Sequence, residues 1–239
     1  MTNPLHILFE DPHILAVSKP PGLLTQGKPG VPTLESAVRL YLPPDAYLGT
    51  VHRLDRPVSG LILWAKTPKA ARRLSQQFEA RKTTKEYWAV AESSSFSKAP
   101  EGTWEDWLTP HSDPSGVVHI LPPESPGARR AVSRYRVETA INLPEATVWL
   151  RLWPQTGRTH QLRAQSAAQG LPILGDSPYG ASRLFPQGIA LHSRTLAFLH
   201  PISRETLTLT APLPASWAEQ GITLPGRSAE PPDAVKTAH

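Results

Sequence analysis

Asp55 lies among three side chains that can carry positive charge, in the run Val51-His52-Arg53-Leu54-Asp55-Arg56-Pro57-Val58-Ser59-Gly60 that leads into the apolar segment Leu61-Ile62-Leu63-Trp64-Ala65. The flanking guanidinium groups favour the charged form of its carboxyl, which suits nucleophilic work better than proton donation. An isolated Arg-Asp pair in a solvated turn would do nothing of the kind, because exposed ion pairs contribute little. Three further segments change that balance: a stiff Lys19-Pro20-Pro21-Gly22 loop with one amine, a Lys85-Glu86-Tyr87-Trp88-Ala89 run with an aromatic residue, and Gly157-Arg158-Thr159-His160-Gln161-Leu162-Arg163. A nucleophilic carboxylate, an arginine to hold it charged and an aromatic platform for a base together suit attack on a nucleoside at its sugar.

The elements that must position these groups follow from periodicity and punctuation. Ile7 to Phe9 and Ile14 to Val17 read as a hairpin about the Glu10-Asp11-Pro12-His13 turn, and it delivers Lys19 at its end. Leu34, Val38 and Tyr41 recur at helical spacing before Pro43-Pro44, so Thr33 to Leu42 is expected to be a short helix. Leu61 to Ala65 reads as a buried strand. Thr67-Pro68 then caps and starts a helix whose apolar face is Ala70, Ala71, Leu74 and Phe78. Strands are expected over Lys85–Ala91, Trp104–Leu108, Val117–Leu121, Ala131–Thr139, Ala146–Trp153, Leu191–Leu199 and Thr206–Thr210, with a helix over His160–Gln169 stopped by Gly170.

Composition sets the outer limits. The 239 residues suffice for a sizeable core, and 25 Lys+Arg against 20 Asp+Glu give a net charge of +5, which fits a polyanionic partner such as RNA. There is no cysteine, so disulfides, thiolate nucleophiles and Cys-ligated zinc or iron–sulfur centres are excluded. No apolar run approaches the ~20 residues of a membrane helix, and Met1-Thr2-Asn3-Pro4 lacks signal-peptide character. A cytoplasmic location without membrane contact is expected. The 27 prolines mostly punctuate strands and helix starts, so they do not indicate disorder before the polar tail from about Arg227. The reading is one domain over residues 1–226 and a disordered tail over 227–239.

Dinucleotide-binding, P-loop, nucleophile-elbow and zincin motifs are missing, and the nine histidines are scattered, so no metal and no cofactor is expected.

Four blocks in order carry a family likeness. His52 through Leu61 resembles the H-R-L-D-x-x-[TS]-S-G-[LIV] signature of the RluA-type pseudouridine synthases. Lys19-Pro20-Pro21-Gly22 is similar to that family's first motif, Lys85 to Ala89 to its tyrosine motif, and Gly157 to Arg163 to its third. Leu174-Gly175-Asp176-Ser177-Pro178-Tyr179-Gly180 follows. The likeness spans roughly residues 5 to 217. Val58 stands where the family often has Thr, and Gln165 where a His is common.

The resemblance implies an α+β catalytic fold, with a mixed, mostly antiparallel sheet, flanking helices and a central RNA-binding cleft. It implies RNA pseudouridine synthase activity on ribosomal or transfer RNA, in a short form without an N-terminal S4-like domain, so that target choice rests with the catalytic domain. Asp55 would be the catalytic carboxylate, Arg163 its bidentate partner, and Tyr87 the residue that stacks on the uracil and serves the later C5 proton step. Arg53 would fill the gap left by the extruded uridine, Leu162 would wall the uracil, His52 and Arg158 would lie on the RNA side, and Lys19 would support the pocket or approach the RNA. A monomer is expected. The competing readings are a non-catalytic RNA-binding protein of the same fold and a carboxylate-dependent nucleoside hydrolase, for which a second acid is not evident.

Overall fold

The computed structural model describes residues 5–93 and 99–225, so the tail expected to be disordered lies outside the described residues. Its elements in chain order are β1 (His6–Glu10), β2 (Ile14–Lys19), α1 (Leu34–Tyr41), β3 (Gly49–Thr50), β4 (Ser59–Ala65), α2 (Pro68–Glu79), β5 (Thr84–Glu92), β6 (Glu101–Leu108), β7 (Ile120–Leu121), β8 (Arg129–Glu138), β9 (Thr147–Pro154), α3 (Gln161–Ala168), a 3-10 turn (Ser177–Tyr179), β10 (Leu191–Leu199), β11 (Thr206–Thr210) and α4 (Ala215–Glu219). Among the described residues the strands form one sheet in the order β1-β2-β4-β10-β5-β9-β8-β6-β7, with β3 beside β4 and β11 beside β10. The β4–β10 pair is parallel and the remaining pairs are antiparallel, which is the expected α+β, mostly antiparallel architecture.

Both faces of the sheet centre are covered, and the sequence shows it as unbroken apolar runs. In β2 and β4, Leu15, Val17, Ile62 and Trp64 enter one core with Leu34 and Val38 of α1, while Ile14, Ala16, Leu61, Leu63 and Ala65 enter the other with Ala70 and Leu74 of α2. Successive side chains alternate between faces, so a run without polar residues is what a doubly covered strand requires. The helix starts are as expected: the Thr67 side chain accepts from the Ala70 N–H ahead of Pro68, and Thr33 with Ser36 forms a reciprocal cap on α1.

The parallel pair brings the Asp55 loop to the sheet centre. Ser193 of β10 lies between Gly60 of β4 and Tyr87 of β5. Gly60 has φ +115°, and a Cβ there would stand 2.6 Å from the Ser193 nitrogen, so only glycine lets the backbones approach this closely. Gly60→Ala is expected to destabilise the fold by at least about 2 kcal/mol, from left-handed strain and overpacking together. Chemical denaturation checks it, and a loss below about 1 kcal/mol would contradict the close-approach account.

Candidate active site

The loop 51–58 that carries Asp55 has no regular structure, and side chains and backbone from residues 19–25 and from Ile189 hold it. Lys19, 1% exposed at the end of β2, directs its ammonium to the carbonyls of Pro20 (3.0 Å), Leu23 (2.7 Å) and Arg56 (3.1 Å). Three donors meet three acceptors, a match that favours the charged amine. Burial acts the other way and pushes its pKa down to about 7, although the Asp55 charge opposes that shift. The buried Thr25 hydroxyl donates to the Leu54 carbonyl at 2.9 Å and accepts from the Leu54 N–H at 3.2 Å. The Gly22 N–H donates to the Arg56 carbonyl, and the Ile189 N–H to that of Pro57. The Val58 N–H closes the turn on the Asp55 carbonyl at 3.1 Å.

This narrows one expectation and corrects another. Lys19 supports the site from within, its buried amine tying the carbonyls of Pro20 and Leu23 to that of Arg56 in the Asp55 loop. His52 likewise faces inward: its ring stacks on Phe78 at 5.0 Å and Nε2 accepts from the Leu63 N–H at 2.9 Å. Burial, aided by the charge of Lys85, pushes the His52 pKa down to about 3, so the ring is neutral and can accept that bond. Both residues build the loop from behind.

The carboxylate of Asp55 is 29% exposed, and its Oδ2 faces Arg163 Nη1 at 3.5 Å and His160 Nε2 at 3.8 Å. Arg163 is nearly buried on α3. The expected bidentate pairing is present but belongs to another carboxylate: Arg163 Nε and Nη2 donate to Asp176 Oδ2 and Oδ1 at 2.7 and 2.8 Å. A guanidinium presents flat edges, and Asp176 occupies one fully, leaving Nη1 to turn towards Asp55. Tyr179 lies against the guanidinium, with Cζ 4.8 Å from the ring centre. Burial disfavours the Arg163 charge, yet the hydrogen bonds and charge of Asp176, with that of Asp55, outweigh it and raise its pKa. The cation beside Asp55 is therefore permanent.

The flanking arginines play a different part from the one the sequence suggests. Arg56 is exposed and donates through Nε to the Gly22 carbonyl, and Arg53 is exposed. Among the described residues the ion pairs of Asp55 are with Arg163 and His160, both from the start of α3.

Tyr87 sits on β5 opposite Ser193 of β10. Burial pushes its pKa up to about 12, with the nearby Ser193 side chain opposing the rise and the Asp55 charge adding to it. The phenol is protonated throughout the neutral range and within electrostatic reach of Asp55. Leu162 is 6% exposed and belongs to the large core cluster, next in sequence to Arg163. Arg158 is exposed at the entry to α3 and donates through Nε to the Arg130 carbonyl at 3.0 Å.

The two departures from the family pattern turn inward. Val58 is core, and the fully buried Gln165 joins α3 to the sheet by accepting from the Ser133 hydroxyl (2.7 Å) and donating to Asp106 (2.8 Å). His160, Asp176 and Tyr179 stand in the blocks singled out by motif, but motif reasoning assigned none of them a role. The signal for Asp176 and Tyr179 is their place in the Leu174 to Gly180 block, and the Asp176 side chain is 0% exposed. Among the described residues no group of three or more His, Asp or Glu side chains is arranged to hold a metal ion.

Comparison with known proteins agrees with this geometry. The family model described as RNA pseudouridylate synthase matches residues 13–168. An RNA pseudouridine synthase of Synechocystis is 34% identical over 223 residues, covering 89% of this chain and 66% of that protein. The ribosomal large subunit pseudouridine synthase D of Xanthomonas campestris is 34% identical over 230 residues, covering 88% and 66%. Thus the chain spans about two thirds of the length of these relatives. The structure named human RNA pseudouridylate synthase domain containing 1 superposes with a TM-score of 0.73 at 25% identity, covering 93% of this chain and 91% of that one. The matched span takes in the Asp55 loop, β5 with Tyr87, and the start of α3 with Arg163, and on these grounds the chain belongs to the RNA pseudouridylate synthase family.

Proposed function

We propose that this chain isomerises uridines of structured RNA to pseudouridine, with Asp55 as the catalytic carboxylate. The observation that carries the reading is the partly exposed Asp55 carboxylate, held 3.5 Å from a buried, permanently charged arginine and within electrostatic reach of a protonated tyrosine. Asp55 starts cleavage of the N1–C1′ bond, by attack at C1′ or by removal of the C2′ proton. Uracil is retained, turned and rejoined through C5; the C5 proton leaves to solvent and N1 regains one. Atoms balance within the substrate, so no oxidant, reductant or external energy source enters.

Arg163 sets a fixed positive charge beside Asp55 and aims it, and Tyr87 offers its ring to the base and its hydroxyl to the C5 proton step. Leu162 closes the pocket from the core side. A uridine in a folded RNA must leave its stack first, at a cost of a few kcal/mol, and Arg53, whose exposure suits the role, would fill the gap. Exposed Arg158 would follow the phosphates, an attraction that weakens with salt. The partner is ribosomal or transfer RNA in the cytoplasm, met by a monomer. Tritium release tests the reading: RNA labelled at uridine C5 should lose one tritium per modified site with the wild-type protein, and retention of all label would overturn it.

A further inference from the structure

His160 occupies a position whose backbone and side chain both require explanation. It is the N-cap residue of α3 with φ +51° and ψ +20°, a left-handed conformation unfavourable for a residue with a Cβ, and its side chain makes no capping bond to the helix. The imidazole instead turns to the site, with Nε2 3.8 Å from Asp55 Oδ2 and Nδ1 3.0 Å from the Tyr179 hydroxyl. That hydroxyl already accepts the Val118 N–H at 2.8 Å. Its own hydrogen is then free to donate to Nδ1, which places the imidazole proton on Nε2, facing the carboxylate. The two rings meet edge to face at 5.8 Å and 81°, fixing the imidazole plane.

We propose that His160 is a second positioning residue for Asp55: its Nε2–H, held in that tautomer by the Tyr179 hydroxyl, directs Oδ2 while Arg163, three residues along the same helix, supplies the charge. The assignment rests on the proposed function and adds to it the device that orients the carboxylate. The groups facing the imidazole are Asp55 from the loop before β4, Arg163 on α3, and Asp176 and Tyr179 from the 3-10 turn. Burial lowers the His160 pKa, against the pull of Asp55 and Asp176 and with the push of Arg163, so the ring is neutral at pH 7 and serves as a donor without a second full charge. At lower pH it protonates, Nδ1 loses its acceptor role, and the imidazolium competes for the electrons that Asp55 needs.

Two measurements on the whole protein test this. Nitrogen NMR of histidine-labelled protein should show the Nε2–H tautomer at His160, a tautomer mixture in Tyr179→Phe, and a His160 midpoint moved to lower pH in Asp55→Asn. In single-turnover tritium release, His160→Gly, which suits the left-handed backbone, should lose about tenfold in rate with unchanged RNA affinity. His160→Gln, which restores an N–H donor, should recover most of the rate, with the acid limb of its pH profile moved to lower pH. An Nδ1–H tautomer, a His160 titration indifferent to Asp55→Asn, or a wild-type rate in His160→Gly would each overturn the proposal. Should the wild-type protein release no tritium, the proposed function fails instead, and the NMR titration alone still decides whether His160 is coupled to Asp55.

Discussion

Asp55→Asn is expected to lower the single-turnover rate of uridine isomerisation by at least about a thousandfold while RNA affinity and folding stability remain close to wild type. The magnitude follows from losing the one group that begins bond cleavage, as removal of a nucleophile leaves only what binding and orientation supply. Stability is spared because the carboxylate is partly exposed and its ion contact to Arg163, at 3.5 Å, is longer than a hydrogen bond. Arg163 meanwhile keeps its bidentate partner Asp176. Filter binding alongside stopped-reaction assays separates the two effects. Equal rates for variant and wild type would remove Asp55 from the chemistry, and a variant that no longer bound RNA would make it a recognition residue.

Asp176→Asn should do the reverse at the level of folding and cost about 3–5 kcal/mol of stability, since it strips a nearly buried guanidinium of its full counter-charge. Asp176 is 0% exposed and takes both its hydrogen bonds from Arg163, so water cannot replace what is lost. The amide nitrogen of asparagine would face an arginine N–H, donor against donor. Activity should fall as well, because Arg163 then swings towards the remaining carboxylate and Asp55 loses its fixed aim. Urea unfolding reads the first effect as a lower midpoint at unchanged slope. A stability change under about 1 kcal/mol would show that the Asp176 pair does not anchor Arg163.

Much of the scaffold can be read from the chain because its elements carry strong local signals. The run Leu61 to Ala65 reads as a buried strand since both its faces are covered, and α2 reads as a helix since Thr67-Pro68 marks its start. β10 and β11 have the expected bounds. The expected strand Val117–Leu121 contracts to Ile120–Leu121 because the Val117 and Val118 N–H groups go to side chains, Asp113 Oδ1 and the Tyr179 hydroxyl, in place of a neighbouring strand. Gly49–Thr50 and Ala215–Glu219 are too short to show a period.

The site is legible in its motifs and not in its wiring. Adjacency in sequence suggested that Arg53 and Arg56 attend Asp55, yet in an irregular loop neighbouring side chains diverge, and the attending cation comes from a helix more than a hundred residues later. Asp176 takes the better part of Arg163 through a contact that no spacing rule encodes. The inward turn of Lys19 and His52 follows from the carbonyls of Pro20, Leu23 and Arg56 and from the Leu63 N–H of β4, partners that come together only once the chain is folded.

The most direct test is nucleoside analysis by mass spectrometry of one defined ribosomal or transfer RNA before and after incubation with the purified protein and no added cofactor. The account predicts that uridine is replaced by an isomer of identical mass, with the RNA chain intact and no base set free. Release of uracil from a lighter RNA would instead make the protein a hydrolase, and an unchanged nucleoside content across both RNA classes would contradict catalysis by Asp55 altogether.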